Sequence, residues 1–300
     1  MVRIGGGAFL MGSADFHPEE KPVHVASVDA FWMDRHLVTV AEFRRFVKAT
    51  GYLTVAERIP DPADYPGAAP ETLVPGALVF TMPPGPAEPG DWRQWWSYLA
   101  GANWRHPRGP RSSVLGQELH PVTQVAYEDA AAYAAWAGKS LPTEAEWEFA
   151  ARGGLEGAVY AWGDEFTPLN RRMANTWHGE FPWHFSPAPR ANDRPGTTPV
   201  CMYPANGYGL YDMAGNVWEW TADYFTADHS TRASYGAPHH PQVIDLPADE
   251  FVEHFPKRVT KGGSHLCAPN YSLGYRPAAR QPQTEDTATC HLGFRCVVRD

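Results

Sequence analysis

Apolar positions recur at helical spacing in three places. Phe43, Phe46 and Val47 share a stripe that follows Thr39 and Glu42, a Thr-x-x-Glu pair able to cap a helix start reciprocally, and Gly51 supplies the stop. A run of alanines favours helix from about Glu128, with Tyr133 and Trp136 three apart on one face and Gly138 at the end. Thr143 and Glu146 repeat the capping pattern, Trp147 and Ala150 fall on a common side, and Gly153 and Gly154 terminate the segment. Three amphipathic helices are therefore predicted, as scaffold. Strand-like runs are short: VHVASVDAFWMD (23–34), GALVFTM (76–82), RVTKGGS (258–264) and GFRCVVRD (293–300). Between them lie long turn-rich stretches, which must be functional or packed by their own side chains. Residues 227–255, rich in His, Pro and acids, are expected to form a surface excursion.

Composition sharpens this picture. With 27 Gly and 29 Pro beside 12 Trp and 13% aromatics, the chain reads as irregular loops held on an aromatic core, because a disordered chain would lack the large hydrophobes. Its 300 residues suit one large domain, taken here as 1–300, without repeats or linkers. The net charge of −9 has the wrong sign for neutralising phosphates, which argues against nucleic acid. No apolar run is long enough for a signal peptide or a membrane helix, so no membrane role and a cytoplasmic setting are expected. Four cysteines, 201, 267, 290 and 296, are too few and too irregular for a disulfide framework, and reduced thiols are expected. Neither an aromatic heptad nor a long exposed strand calls for an oligomer, so a monomer is expected.

Two constellations carry candidate chemistry. In NGYGLYDMAGNVWEW (206–220), Asp212 and Glu219 flank Gly215 and Asn216, hard oxygen donors around a turn of the kind calcium takes, although the spacing is not that of an EF-hand and a metal-free acidic turn competes with this reading. Trp218 and Trp220 are expected to diverge, one inward and one toward a groove. In KGGSHLCAPNYSLGYR (261–276), two glycines precede Ser264 and Cys267, with Tyr271, Tyr275 and Arg276 around them. A nearby cation raises a thiol's thiolate fraction, so Cys267 is a candidate nucleophile or soft-metal ligand, against the ordinary reading of a buried apolar cysteine. The thirteen histidines show no H-E-x-x-H pattern, and His239 and His240 fall in the excursion; no histidine metal site is assigned.

These segments, with GGAFLMGS (6–13), GANWRHPRGP (101–110), HPVTQVAYEDAAAYAAWAGKSLPTEAEWEFAARGG (120–154) and the terminal LGFRC (292–296), occur in order and closely resemble the formylglycine-generating enzyme family, the sulfatase-modifying factors. The resemblance implies an α+β single-domain fold, C-type-lectin-related and low in regular secondary structure. It also implies oxidation of a cysteine in a Cys-x-Pro-x-Arg segment of an unfolded sulfatase to Cα-formylglycine, with O2, a thiol reductant and Cu(I) held by two thiolates. Cu(I) is soft and prefers such ligands.

Carried over residue by residue, the resemblance makes Cys267 the first copper ligand and puts Ser272 at the position of the second, where the family motif reads Tyr-Cys and this chain reads Tyr-Ser. A neutral hydroxyl is a hard, weak donor, so Cu(I) is expected to bind poorly: either another group, His265 or Cys290, completes the site, or the chain is impaired, or a cysteine has been deliberately replaced by Ser272. A non-catalytic peptide-binding paralogue and an oxidoreductase acting on a different thiol are the rival readings. The resemblance places calcium on Asp212, Gly215, Val217 and Glu219, and a second calcium site on Asn175 and Thr176, where RANDRPGTTP (190–199) departs from the pattern around Asn192, Asp193 and Arg194. It makes Trp218, Ser264 and Tyr271 groove residues. Cys296 matches a cysteine that some secretory members pair in a disulfide, its partner here being Ala134, and Pro277 falls at another such position.

Overall fold

The computed structural model describes residues 1–87, 90–186, 195–227 and 255–300. Its strands are β1 (Val2–Ile4), β2 (Gly7–Met11), β3 (His24–Val28), β4 (Phe31–Met33), β5 (Gly76–Phe80), β6 (Trp96–Ala100), β7 (Trp218–Tyr224), β8 (Lys257–Lys261), β9 (Arg280–Thr284), β10 (Leu292–Gly293) and β11 (Val297–Arg299). They form small sheets: β1-β4-β11, β10-β7-β8-β9, and the hairpins β2-β3 and β5-β6. The helices are α1 (Val40–Thr50), α2 (Tyr127–Trp136) and α3 (Glu144–Arg152). This is the α+β architecture of few helices and many short strands expected above.

The caps form as predicted. Thr39 N–H donates to Glu42 Oε2 at 2.8 Å, the Glu42 N–H donates back to Thr39 Oγ1 at 3.3 Å, and Gly51 turns left-handed at φ 70°. Thr143 and Glu146 do the same at 2.7 and 3.1 Å, with Gly153 at φ 58°. In α2 the start is different in kind. Asp129, three residues inside the helix, accepts the Ala126 N–H at 2.8 Å from the helix side alone.

The main core gathers Phe43 and Phe46 of α1, Tyr133 and Ala134 of α2, and Trp104, Trp218, Trp220, Tyr275, Phe294 and Cys296. Trp218 and Trp220 do not diverge, because residues two apart on an extended strand face the same way; both are buried in this cluster. Ala134 shares it with Cys296, so a small side chain stands in the core where the resemblance puts a disulfide partner, and all four cysteines are free. Most of the expected surface excursion, with His239 and His240, lies outside the described residues, as do Asn192, Asp193 and Arg194. Among the described residues no helix is long and apolar enough to cross a membrane.

Helix α3 sets up the strand that delivers the site. Lys261, at the end of β8, is fully buried and donates to Glu148 at 2.9 Å, with Glu144 at 3.7 Å, both on α3. Arg152 also meets Glu148 at 2.6 Å, and Arg280 of β9 forks onto Glu144 at 2.7 and 2.9 Å. A buried charge is tolerated only when paired, so these ion pairs fix the end of β8 against the helix. Gly262 follows at φ 90°, where a Cβ would come within 2.9 Å of the Trp147 ring.

Candidate active site around Cys267

From that glycine the chain turns into Gly263-Ser264. The Ser264 carbonyl accepts the Cys267 N–H at 3.0 Å, and Ser264 Oγ accepts the Leu266 N–H at 3.2 Å, so Ser264 builds the turn. It also faces the sulfur: the Ser264 N–H donates to Cys267 Sγ at 3.3 Å and its hydroxyl lies 4.0 Å away. From the other side Ser272 Oγ donates to the same sulfur at 3.7 Å. Cys267 is 3% exposed. Burial pushes its thiol up from the ordinary value, against the backbone of Ser264, the hydroxyls of Ser272 and Ser264, and the backbone of Gly274, all of which favour the charged form.

Aromatic rings wall the sulfur in. Tyr271, about half exposed, stacks on Phe181 with centroids 4.2 Å apart and meets Trp95 edge-on at 6.2 Å. Tyr275 is buried and stacks on Phe166 at 5.0 Å and Tyr160 at 6.1 Å. Trp218 closes the floor beside Gly274, where a Cβ would fall 2.5 Å from the indole and 3.1 Å from Cys267 Sγ. Gly274 is not among the residues expected at the site from the sequence. Its signal was a glycine in Ser-Leu-Gly-Tyr-Arg with no turn to explain it.

The structure thus brings Cys267, Ser272, Ser264, Tyr271 and Trp218 together. It places His265 and Cys290 elsewhere. His265 is buried, its ring Nδ1 lies 2.8 Å from the Asn216 carbonyl, and burial pushes its pKa down to about 4. Cys290 Sγ accepts the Phe80 N–H at 3.4 Å. Both line a cavity of about 430 Å3 that includes Asn175 and Thr176 but not Cys267. Among the described residues no group of three His, Cys, Asp or Glu side chains could hold a metal. One buried thiol beside a hydroxyl does not fit a two-thiolate Cu(I) site.

The acidic turn is also differently disposed from an open oxygen cage. Glu219 and Asp212 are buried, and burial raises both carboxyls. Arg295, in the terminal Leu-Gly-Phe-Arg-Cys, grips both oxygens of Glu219 at 2.7 and 2.8 Å and reaches the main-chain oxygens of Tyr211 and Asp212 at 2.9 and 3.1 Å. Asp212 Oδ2 accepts the Cys201 N–H at 2.8 Å. Gly215, at φ 72°, bridges to Asn175, whose carbonyl accepts the Asn216 N–H at 2.8 Å, and Thr176 lies buried beside it. Val217 is buried in the same turn. With Glu219 committed to a guanidinium, these donors as placed do not fit the six to eight free oxygens that calcium takes.

The short-stranded α+β fold and a buried cysteine at the end of a Gly-Gly-Ser turn define the class: residues 1–300 match the model of the sulfatase-modifying factor enzyme 1-like domain, and the chain belongs to that family. It is 52% identical over 301 residues to a formylglycine-generating enzyme of Mycobacterium tuberculosis, covering 99% of this chain and 97% of that one. It is 38% identical over 302 residues to a bovine (Bos taurus) inactive C-alpha-formylglycine-generating enzyme 2, covering 99% and 87%. In fold it is similar to PvdO from Pseudomonas aeruginosa, with a TM-score of 0.61 at 22% identity over 99% of this chain and 93% of that one.

Proposed function

We propose that this chain is an oxidase-type protein of the formylglycine-generating kind, which takes a Cys-x-Pro-x-Arg segment of an unfolded sulfatase over Cys267 and whose oxidative step is held back at Ser272. The observation that carries this reading is the Cys267–Ser272 pair: one thiol and one hydroxyl, 3.7 Å apart, within a turn of donors and between two aromatic walls.

The overall reaction converts the substrate's Cβ–S bond to an aldehyde C=O. O2 accepts four electrons, two from the substrate and two from a pair of reductant thiols, which become a disulfide. One oxygen atom ends in the aldehyde and the other in water, and the substrate sulfur leaves as hydrogen sulfide. The residues here supply the surroundings of that chemistry. Trp218 and Tyr275 exclude water from the sulfur, Tyr271 offers a half-exposed ring to an extended peptide, and Ser264 and Ser272 aim hydrogen bonds at Cys267. The net charge of −9 favours a segment that carries an arginine. With one thiol and one hydroxyl at this place, the residues present do not make a two-thiolate copper centre, and any Cu(I) would rest on Cys267 as its one soft donor.

A second reading, a peptide-binding protein without turnover, is favoured by the same hydroxyl. The two are separated by assaying oxygen consumption and aldehyde formation on a Cys-x-Pro-x-Arg peptide in the presence of Cu(I) and a thiol reductant. The expected result is turnover roughly 10²-fold or more below that of Ser272→Cys, on the scale of a weakened metal environment, and none in either background after Cys267→Ala. Equal turnover with and without the second cysteine would refute the role given to Ser272. Peptide binding with no turnover even in Ser272→Cys would establish the binding-only reading.

A further inference from the structure

The donors that face Cys267 Sγ from the far side, the Ser272 hydroxyl and the Gly274 backbone, flank Leu273. The Leu273 carbonyl is not left to the loop's own turn. Arg276 Nε donates to it at 2.9 Å. The Arg276 guanidinium in turn forks onto Glu20, at 2.8 Å to Oε2 and 2.5 Å to Oε1, and lies over the Phe16 ring with 3.7 Å to the centroid. Both members of the ion pair are buried, 1% and 0% exposed. Glu20 ends a single turn, Pro18–Glu20, that is itself pinned: its carbonyl accepts the Ser13 N–H at 3.1 Å, and the Glu19 carbonyl accepts from Arg280 at 3.2 Å.

A charge removed from water must be matched by a fixed partner, and a planar guanidinium held on two carboxylate oxygens and one aromatic face has a single orientation left. Its Nε then defines where the Leu273 carbonyl sits. On the other side the loop has no slack either, since a Cβ on Gly263 would lie 2.6 Å from the Gly274 carbonyl carbon and the Tyr275 nitrogen.

We infer that Glu20, 256 residues from Arg276 in sequence, is a positioning residue of the Cys267 site: through Arg276 and the Leu273 carbonyl it sets where Ser272 and Gly274 stand against the sulfur and where Tyr275 enters the aromatic wall. The segment Phe16 to Glu20 is thus part of the device that shapes the groove and not merely a cover over the core. What binds in that groove rests on the reading proposed above, but the coupling from Glu20 to the loop does not.

The test uses the whole chain and two readouts, amide hydrogen exchange across residues 271–276 and the dissociation constant for a Cys-x-Pro-x-Arg peptide measured without metal by tryptophan fluorescence. The variants are Arg276→Lys, which keeps the charge on Glu20 but loses the fork and the bond to Leu273, together with Glu20→Asp and Glu20→Gln. For Arg276→Lys the expected result is exchange at 272–275 faster by about tenfold with α1 to α3 unchanged, and a peptide constant weakened about three- to tenfold by the misplaced loop. Glu20→Asp is expected to fall between this variant and the parent. Should Glu20→Gln fail to fold, the two charge-preserving variants decide. Exchange that rises uniformly over the molecule, or does not rise at 272–275, overturns the inference, as does a loosened loop with unaltered peptide affinity. If the parent chain takes up no peptide, the proposed function falls, and the exchange measurement alone still decides whether Glu20 holds the loop.

Discussion

Arg295 meets Glu219 fork to fork, with both guanidinium–carboxylate distances under 3 Å and both side chains sealed from solvent. A pair this well matched supplies to the acidic turn the positive charge that a cation would otherwise bring. Removing one partner leaves the other buried and uncompensated, so Arg295→Met is expected to cost about 3–5 kcal/mol in urea denaturation. Exhaustive dialysis against EDTA is expected to leave the midpoint of the parent unchanged. A midpoint that falls on chelation and returns with calcium would show that the fold binds calcium despite the Arg295–Glu219 pair.

Glu148 titrates in the opposite sense from most buried acids. Burial alone would raise its carboxyl, but Lys261, Arg152 and the Gly12 N–H outweigh it and hold the group at about 2. A depressed folded value means that the unfolded chain binds the proton first. The stabilisation is therefore complete above the ordinary value of 4.5 and is lost as the pH falls from there through about 2. Glu148→Gln is expected to be less stable at pH 7 and to flatten the acid limb between those values, read by denaturant midpoints across the series.

The Cys267 thiol sits above its ordinary value of 9.0 and is neutral at pH 7. Its alkylation by iodoacetamide, followed by mass spectrometry so that exposed Cys201 serves as the comparison, is expected to accelerate roughly tenfold per pH unit from 7 to 9 as the thiolate fraction grows. Ser272→Ala removes one donor and is expected to slow the reaction at every pH in that range. An unchanged rate would mean that the hydroxyl contributes nothing at the sulfur.

Gly274→Ala places a methyl group into the Trp218 indole and against Cys267 Sγ. Overpacking of this kind costs about 1–3 kcal/mol, and the loss is expected to be accompanied by a shift of tryptophan emission and by loss of peptide binding. A variant as stable as the parent that still binds peptide would show that the indole can move aside.

What could be read from the residues follows from the range of the interactions. The starts and stops of α1 and α3 are written within four residues, a threonine, a glutamate and a glycine, and both formed as expected. Helix α2 starts at Tyr127, just ahead of the expected Glu128, because Asp129 caps from inside the helix, without a side-chain partner at Ala126. Strands β6 and β9 were invisible: Trp96–Ala100 and Arg280–Thr284 acquire their extended form from the neighbours they pair with. The Cys267 turn could be found because its parts are contiguous, whereas Arg295 on Glu219 and Glu20 on Arg276 join residues 76 and 256 positions apart. No local pattern announces such pairs. The expectation for Trp218 and Trp220 failed on geometry alone, since a strand repeats every two residues.

The sheet that carries β4 at its centre holds residues 2–4 on one side and 297–299 on the other, and Arg3 approaches Asp300 at 3.5 Å. Segments far apart in sequence are thereby tied into one sheet through β4, so loosening either outer strand bares the same central one. The alignment of Phe16 and Glu20 against Arg276 thus shares its support with that sheet, since β2 and β3 flank the turn that carries them.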